Sequence, residues 1–327
     1  MLDNIRRKFS NPSIKDFYDR CLECGKFGDL MYYEGMIYSI SAERGMKKTS
    51  DRSFKPFHKS SKDLSLNGIH MEMIPCPAGK FIMGHKDQGD NQPRQEVIER
   101  PFLLGETEVT QGLYQAVMDI NPSRFDTDPQ NPVEQVSWFD AILFCNELSK
   151  LQGLDKCYIL TDISTIDKEG VDQERIMSAK VICGFGKSGY RLPTEKEWEY
   201  AAKAGTQNKY AGTDNVYELE DYAWFSERKE YVDDYDNYAE YEDDGSTYPV
   251  KIKKPNEWGF YDMSGNVSEW CWDMYDPDNP DTSDDRVVRG GGWDGYAPAL
   301  RSALRSYGSP GLRFDSVGFR VCRSIVN

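Results

Sequence analysis

Histidine is almost missing from this 327-residue chain, with His58, His70 and His85 the only three. The C-terminal two-thirds therefore lack the usual imidazole base, which argues against a hydrolase triad. No apolar run approaches the ~20 residues that a membrane-spanning helix needs. No glycine-rich loop opens a helix with a phosphate-binding lysine, because Gly290-Gly291-Gly292 runs into Trp293. Positive charge is also short: 40 Lys+Arg face 55 Asp+Glu, for a net charge of −15. The imbalance is uneven. Residues 1–70 carry +4 and the remainder −19. An acidic body excludes non-specific nucleic-acid binding, which needs positive charge facing phosphates. The change of sign near residue 70 marks a boundary between a small N-terminal accessory segment with its linker (1–70) and a main domain (71–327).

Cysteine is present but unpatterned. Of the eight, only Cys21-Leu22-Glu23-Cys24 has metal or redox spacing, and neither a second pair nor a nearby histidine completes a zinc site. The rest read as free thiols, or a disulfide or two. The start, Met1 to Lys8, lacks the apolar core of a secretion signal, so the chain is intracellular or its signal lies outside the sequence given. Hydrophobic residues make up 39% and aromatics 13%, enough for a sizeable core in a soluble fold.

Before residue 70, Asn11-Pro12-Ser13 can start a helix, Met31–Tyr33 and Met36–Tyr38 can be buried pieces, and Lys47–Lys62 reads as a polar linker. From Met71 the pattern sharpens. Met73–Gly84 reads as two short strands about a Pro/Gly turn, and Phe102–Val109 as another strand. Thr110 caps a helix through Leu113, Tyr114 and Val117 that Asn121-Pro122 stops. Ser137 with Asp140, and Thr194 with Glu197, form two capping boxes; Gly205 ends the second of these helices. A few helices among many short strands and long loops indicate an α+β class, not a parallel α/β sheet.

The stretch from Arg289 to Arg320 is built differently from the rest. Its ends, Arg289-Gly-Gly-Gly-Trp293 and Gly318-Phe-Arg320, look like fixed framework. Between them Asp294, Gly295, Tyr296, Pro298, Ala299, Leu304, Tyr307, Gly308, Ser309, Leu312, Phe314 and Asp315 follow neither the helical nor the strand period. They read as a displayed binding surface on a rigid frame; an ordinary irregular terminal segment is the plainer alternative. Two further sites invite a metal reading. Tyr217–Gly245 holds 12 Asp+Glu and 6 Tyr, which suits a solvated acidic loop, calcium or a cationic partner. Asp262-Met-Ser-Gly265-Asn266-Val267-Ser268-Glu269 offers carboxylates and a tight turn whose carbonyls suit calcium, or Asp262 and Asn266 simply stabilise the turn.

Pro77–Gly84, Glu106–Thr110, Pro132–Trp138, Tyr190–Ala202, Trp258–Trp270, Arg289–Trp293 and Gly318–Arg320 together, in this order, resemble the sulfatase-modifying-factor (formylglycine-generating-enzyme) domain over about residues 71–325. The resemblance implies a C-type-lectin-like fold: a small twisted antiparallel sheet, flanking helices and much irregular structure. It also implies a structural calcium site, with Asp262 and Glu269 as side-chain ligands and Gly265 and Val267 as carbonyl ligands. The enzymes of this family carry two reactive cysteines shortly after the Arg-Gly-Gly motif; here those positions read Gly295 and Leu300. Neither can supply a thiolate, so no catalytic residue is expected.

A narrower resemblance is to the variable proteins of diversity-generating retroelements, of the treponemal type. It rests on Arg289–Trp293, Ala297, Arg301, Arg305, Pro310, Arg313 and Val317–Arg320. Template randomisation in such elements cannot yield Lys, Glu, Gln, Met or Trp, and Asp294–Val317 contains none of the five. The resemblance implies a non-catalytic, receptor- or adhesin-like monomer that binds a macromolecule, a protein in the first instance, at the cell surface or outside the cell. An enzyme or accessory factor of the superfamily, using other chemistry, is the alternative function, and a cytoplasmic location the alternative site.

Overall fold

The computed structural model describes residues 64–66, 68–86, 91–166, 175–226, 245–278 and 284–326, and the backbone of three strands before them. The chain divides into two units, Met1–Ser60 and Ser61–Asn327. In the first, β1 (Leu30–Tyr33), β2 (Met36–Ser41) and β3 (Gly45–Ser50) form an antiparallel sheet in that order. The expected linker, Lys47–Lys62, overlaps β3 at its start, and its remaining residues lie outside the described residues. The expected helix after Asn11 and the Cys21/Cys24 pair lie outside the described residues.

The second unit opens with the hairpin β4 (Leu64–Leu66) and β5 (Ile69–Met71). Next come β6 (Met73–Cys76), β7 (Gly79–Met83), β8 (Arg94–Ile98) and β9 (Phe102–Gly105). The two strands about the Pro77–Gly79 turn separate: β6 pairs with β9, and β7 with β8. Helices α1 (Gln111–Met118) and α2 (Trp138–Leu151) follow, then the long hairpin β10 (Tyr158–Ile166) and β11 (Arg175–Cys183), which the sequence reading missed. After β12 (Tyr190–Arg191) and α3 (Glu195–Lys203) come β13 (Ser268–Met274), β14 (Arg286–Arg289), β15 (Ser306–Gly308), β16 (Val317–Gly318) and β17 (Cys322–Ser324). Two four-stranded sheets result, ordered β12-β17-β9-β6 and β15-β14-β13-β16. The β13–β16 pair is parallel, an exception to the wholly antiparallel expectation.

The helices start where local chemistry tells them to. Thr110 accepts from Leu113 N at the head of α1, and both capping boxes form. Each such cap is worth about 1 kcal/mol. α1 ends sooner than the proline signal suggests, because Asp119 turns left-handed (φ 62°). α1 and α2 bury Tyr114 against Phe144, and Phe319 packs edge-on to Phe144 at 5.2 Å. Burying one such phenylalanine contributes about 1.5–3 kcal/mol. Trp138 and Trp270 are also fully buried and donate their indole N–H groups to the carbonyls of Cys271 and Val136. This packing ties α2 to β13, and β13 carries β14 and β16, the two strands that bracket residues 290–316.

Candidate functional site

The bracketing begins at Arg289, whose guanidinium is buried. It donates to Glu195 Oε1 (2.7 Å) and Glu199 Oε2 (2.6 Å) on α3, and to the Ser302 carbonyl (2.6 Å). Lys203 adds a second cation beside Glu199 at 3.0 Å. Buried carboxylates and cations are tolerable only when paired this closely. Immediately after Arg289 the chain turns through Gly290 (φ 94°) and Gly291 (φ 72°), a conformation closed to most side chains. A Cβ on Gly291 would also stand 2.8 Å from the Ala299 carbonyl. At the other end Phe319 and Arg320 are fully buried. Trp293 bonds the two ends together through its indole N–H to the Asp315 carbonyl, 3.0 Å.

Between these ends four of the large apolar side chains face outward, whereas Leu300 is buried. Tyr296, Tyr307, Leu312 and Phe314 are 55, 59, 47 and 39% exposed. Asp294 and Pro298 are exposed, whereas Gly295, Ala299, Leu304, Ser309 and Asp315 are half-buried. Gly308 corrects the expectation. It is buried in β15, and a Cβ there would lie 2.7 Å from the Trp270 ring. Its missing side chain makes room for the core rather than contacting a ligand. Three of the segment's charged residues are turned into struts, whereas Asp294 is exposed and Arg301 Nε is buried without a hydrogen-bond partner. Arg305 grips Glu195 with two nitrogens and Arg313 grips Asp140 with two, at 2.7 and 2.8 Å. Asp315 pairs with Arg124. The partners are 110, 173 and 191 residues away in sequence, which is why spacing alone did not reveal them.

Fixed residues border the segment. Phe125 meets Trp293 edge-on at 5.2 Å. Beneath Phe125 lies Glu134, fully buried, which accepts from Phe125 N at 2.8 Å through one oxygen while the other has no hydrogen-bond partner. Burial pushes its carboxyl up to about 7. The next residue, Gln135, donates its backbone N–H to the Phe314 carbonyl. The β10–β11 hairpin touches the far side of the segment: a Cβ on Gly311 would lie 3.1 Å from the Met177 carbonyl. A cleft of about 440 Å³ opens beside Trp293, lined also by Trp224, Phe225, Tyr248, Lys253 and Glu220. Ser226 at its rim donates to the Gly295 carbonyl, and Leu300 is buried against Tyr210, Leu219 and Ala223.

The calcium turn is only partly as expected. Asp262 and Asn266 adopt left-handed backbone (φ 55° and 60°). They clamp the preceding strand-like piece: Asp262 Oδ2 accepts from Lys251 N, and Asn266 exchanges two bonds with the Tyr248 backbone. Asp262 Oδ1 is buried without a partner, which suits a cation ligand. Glu269 does not suit one. Its two oxygens accept from Arg320 at 2.6 and 2.7 Å, and one also accepts from Trp198 Nε1. The four-ligand set therefore does not fit through Glu269. Val267 is buried, and Gly265 donates its N–H to the Gly290 carbonyl, so the turn braces the frame in any case. Burial raises the Asp262 carboxyl to about 6 and holds Glu108 well above the carboxylate range, with Asp262 adding to the latter. Of the acidic segment, residues 227–244 lie outside the described residues; Val216–Asp221 form a 3-10 turn.

Residues 64–325 match the sulfatase-modifying factor enzyme 1-like domain, and the chain belongs to that family. It is 38% identical to the chaperone protein LppX of Paenibacillus barcinonensis over 77% of this chain and 89% of that one. It is 33% identical to the mouse formylglycine-generating enzyme over 76% and 74% of the two chains. Among solved structures, Treponema denticola variable protein 1 superposes with a TM-score of 0.69 at 35% identity, covering 81% of this chain and 99% of that one. The fold is thus the C-type-lectin-like one of this family, as the motifs imply.

Proposed function

We propose that this member of the sulfatase-modifying factor enzyme 1-like family is a non-catalytic binding protein that presents residues 294–316 to a macromolecular ligand. One observation carries the reading: four large apolar side chains, at Tyr296, Tyr307, Leu312 and Phe314, stand exposed on a segment three of whose charges, Arg305, Arg313 and Asp315, are tied down. Aromatic side chains give wide contact at small entropic cost, and neighbouring Ser and Gly adapt to the partner. A face with three of its charges paired and an exposed carboxylate at Asp294 suits a patch on a protein better than a phosphate backbone. The similarity to a variable protein supports the same reading. So do Gly295 and Leu300, which stand where the resemblance to the enzymes calls for thiols. No helix among the described residues is long and apolar enough to cross a membrane. Display at the cell surface is the location we propose.

The test is to sequence the same locus from several isolates. Changes clustered in 294–316, with Arg289, Arg305, Arg313 and Arg320 fixed, are expected. Changes scattered evenly along the domain would remove the reading. An assay for conversion of peptidyl cysteine to formylglycine is expected to give no turnover; turnover restores the enzymatic alternative.

A further inference from the structure

The cleft beside Trp293 is a built site whose walls lie outside residues 294–316. Asn266, 0% exposed, ties three aromatic walls together. Its N–H donates to the Trp224 carbonyl at 2.8 Å, and its carbonyl accepts from Trp293 N at 2.7 Å. Its side chain exchanges two bonds with the Tyr248 backbone, both 3.1 Å. The Trp224 and Tyr248 rings stack with centroids 4.0 Å apart and planes 17° from parallel, and Tyr248 stays 41% exposed. Ser226 N, bonded to the Gly295 carbonyl, joins the cleft to the displayed segment.

The lining restricts what can enter. The Lys253 ammonium lies 3.8 Å above the Trp224 ring and donates to the Glu220 carbonyl at 2.5 Å. The cation site of that ring is thus filled by the protein itself, so a cationic ligand gains little there. One lysine beside the Glu220 carboxylate gives no net positive charge for a phosphate. The main-chain carbonyls of Glu220, Trp224 and Tyr248 already accept, from Lys253 and twice from Asn266. The Ser246 hydroxyl donates to the Thr247 carbonyl. What is left over is a donor. Trp224 Nε1 is buried without an acceptor, whereas Trp138, Trp198, Trp270 and Trp293 place their indole N–H groups on protein oxygens. A buried N–H left unpaired is costly and calls for a partner.

We propose that this cleft is a constant subsite of the binding face and takes an extended, proline-bearing segment of the protein ligand; the proposal rests on the binding reading above. Proline has no N–H in need of an acceptor, keeps its carbonyl for the indole N–H, and offers a flat apolar ring to aromatic walls. Its extended conformation is preformed, so little entropy is lost on docking. A sugar would instead bring several hydroxyl donors to carbonyls that are already engaged. Lys253, long and half-buried over the Trp224 ring, is the side chain that gives way as the N–H is reached. The cleft volume of about 440 Å³ is that of a ligand pocket, roughly 300–1,000 Å³.

The experiment follows the seven indole N–H signals of the full chain by NMR, with Trp224→Phe identifying the one from Trp224. The probe is a blocked decaproline peptide; a blocked glycine–serine peptide of equal length and N-acetylglucosamine are the comparisons. A saturable shift of the Trp224 signal with decaproline alone is expected. Trp224→Phe, which keeps a ring and loses the donor, is expected to weaken binding roughly 5–10-fold, read from the Trp293 signal. Tyr248→Ala, whose backbone remains held by Asn266, is expected to weaken it at least as much. No shift with decaproline overturns the proposal. So does an equal shift with the glycine–serine peptide, because proline is then not selected, and so does saturation by the sugar alone. Unchanged affinity in both variants puts the peptide elsewhere and overturns it as well. Should Trp224→Phe not fold, Tyr248→Ala decides by the same criterion. The binding reading is tested apart from this, since changes clustered at 294–316 across isolates do not depend on what decaproline does.

Discussion

Arg289 and Tyr307 lie on the same irregular stretch and could hardly be used more differently. The arginine is sealed inside, with two carboxylates and a carbonyl around its guanidinium. The tyrosine is 59% exposed, and its ring touches Tyr275 at a centroid distance of 4.7 Å. The backbone of Tyr307 pairs with Val287 in the sheet, so its main chain is held without help from its side chain. The lesson is a separation of labour: stability resides in buried ion pairs and in the sheet, and the outward side chains are left free of structural duty.

The largest effect is expected at the frame. Arg289→Ala leaves Glu195 and Glu199 buried without their shared cation, apart from Arg305 and Lys203. Breaking a buried pair from one side costs about 3–5 kcal/mol. Urea unfolding should show a loss of that size. A loss under about 1 kcal/mol, the level of a surface pair, would mean that the network does not hold the segment.

Next comes Gly308→Ala. The added methyl lies 2.7 Å from the Trp270 ring, and Trp270 is fully buried with its N–H bonded to Val136. Overpacking of this kind costs about 1–3 kcal/mol. The expected midpoint loss, measured beside Ser306→Ala at an exposed position of the same strand, separates a glycine kept for packing from one kept for adaptability.

Frame and face meet at Glu134, and here the prediction concerns pH. Its folded carboxyl titrates near 7, above the ordinary 4.5. A raised carboxyl binds its proton more tightly when folded, so its contribution to stability is present below pH 4.5 and is lost as pH rises to about 7. From pH 5 to 8 the wild type should lose on the order of 1–2 kcal/mol relative to Glu134→Gln. Parallel curves for the two proteins would place Glu134 in solvent-like surroundings. Because Gln135 N holds the Phe314 carbonyl, ligand binding should weaken over the same range.

How much of this was readable in sequence follows from how far apart the partners sit. The capping boxes at Ser137–Asp140 and Thr194–Glu197 were legible because a cap and its partner are three residues apart. The motif order, from Pro77 to Arg320, carried the family and fold. The outward tyrosines were legible because their types followed no buried period. What escaped depended on contacts across the chain: Arg313 with Asp140, Asp315 with Arg124, and the burial of Gly308 against Trp270. The β10–β11 hairpin escaped for another reason. Its outer face carries exposed Ile159 and Ile182 paired across the strands, which weakens the inside–outside alternation that marks a half-buried strand. For Glu269, whose calcium role the family resemblance implied, only the fold reveals Arg320 beside it.

The smallest effect on the fold, and the most telling for function, belongs to Tyr307→Ser. Its side chain gives up little on unfolding, and surface substitutions away from special features change stability by no more than about 0.5 kcal/mol. The ring contact with Tyr275 adds a further few tenths at most for so exposed a pair. The melting curve should therefore be nearly unmoved, while affinity for the ligand falls sharply, since exposed aromatics dominate binding interfaces. A collapse of the melting temperature would show that Tyr307 supports the fold. Frame and face would then be one structure, and variation at 294–316 would be paid for in stability at every change.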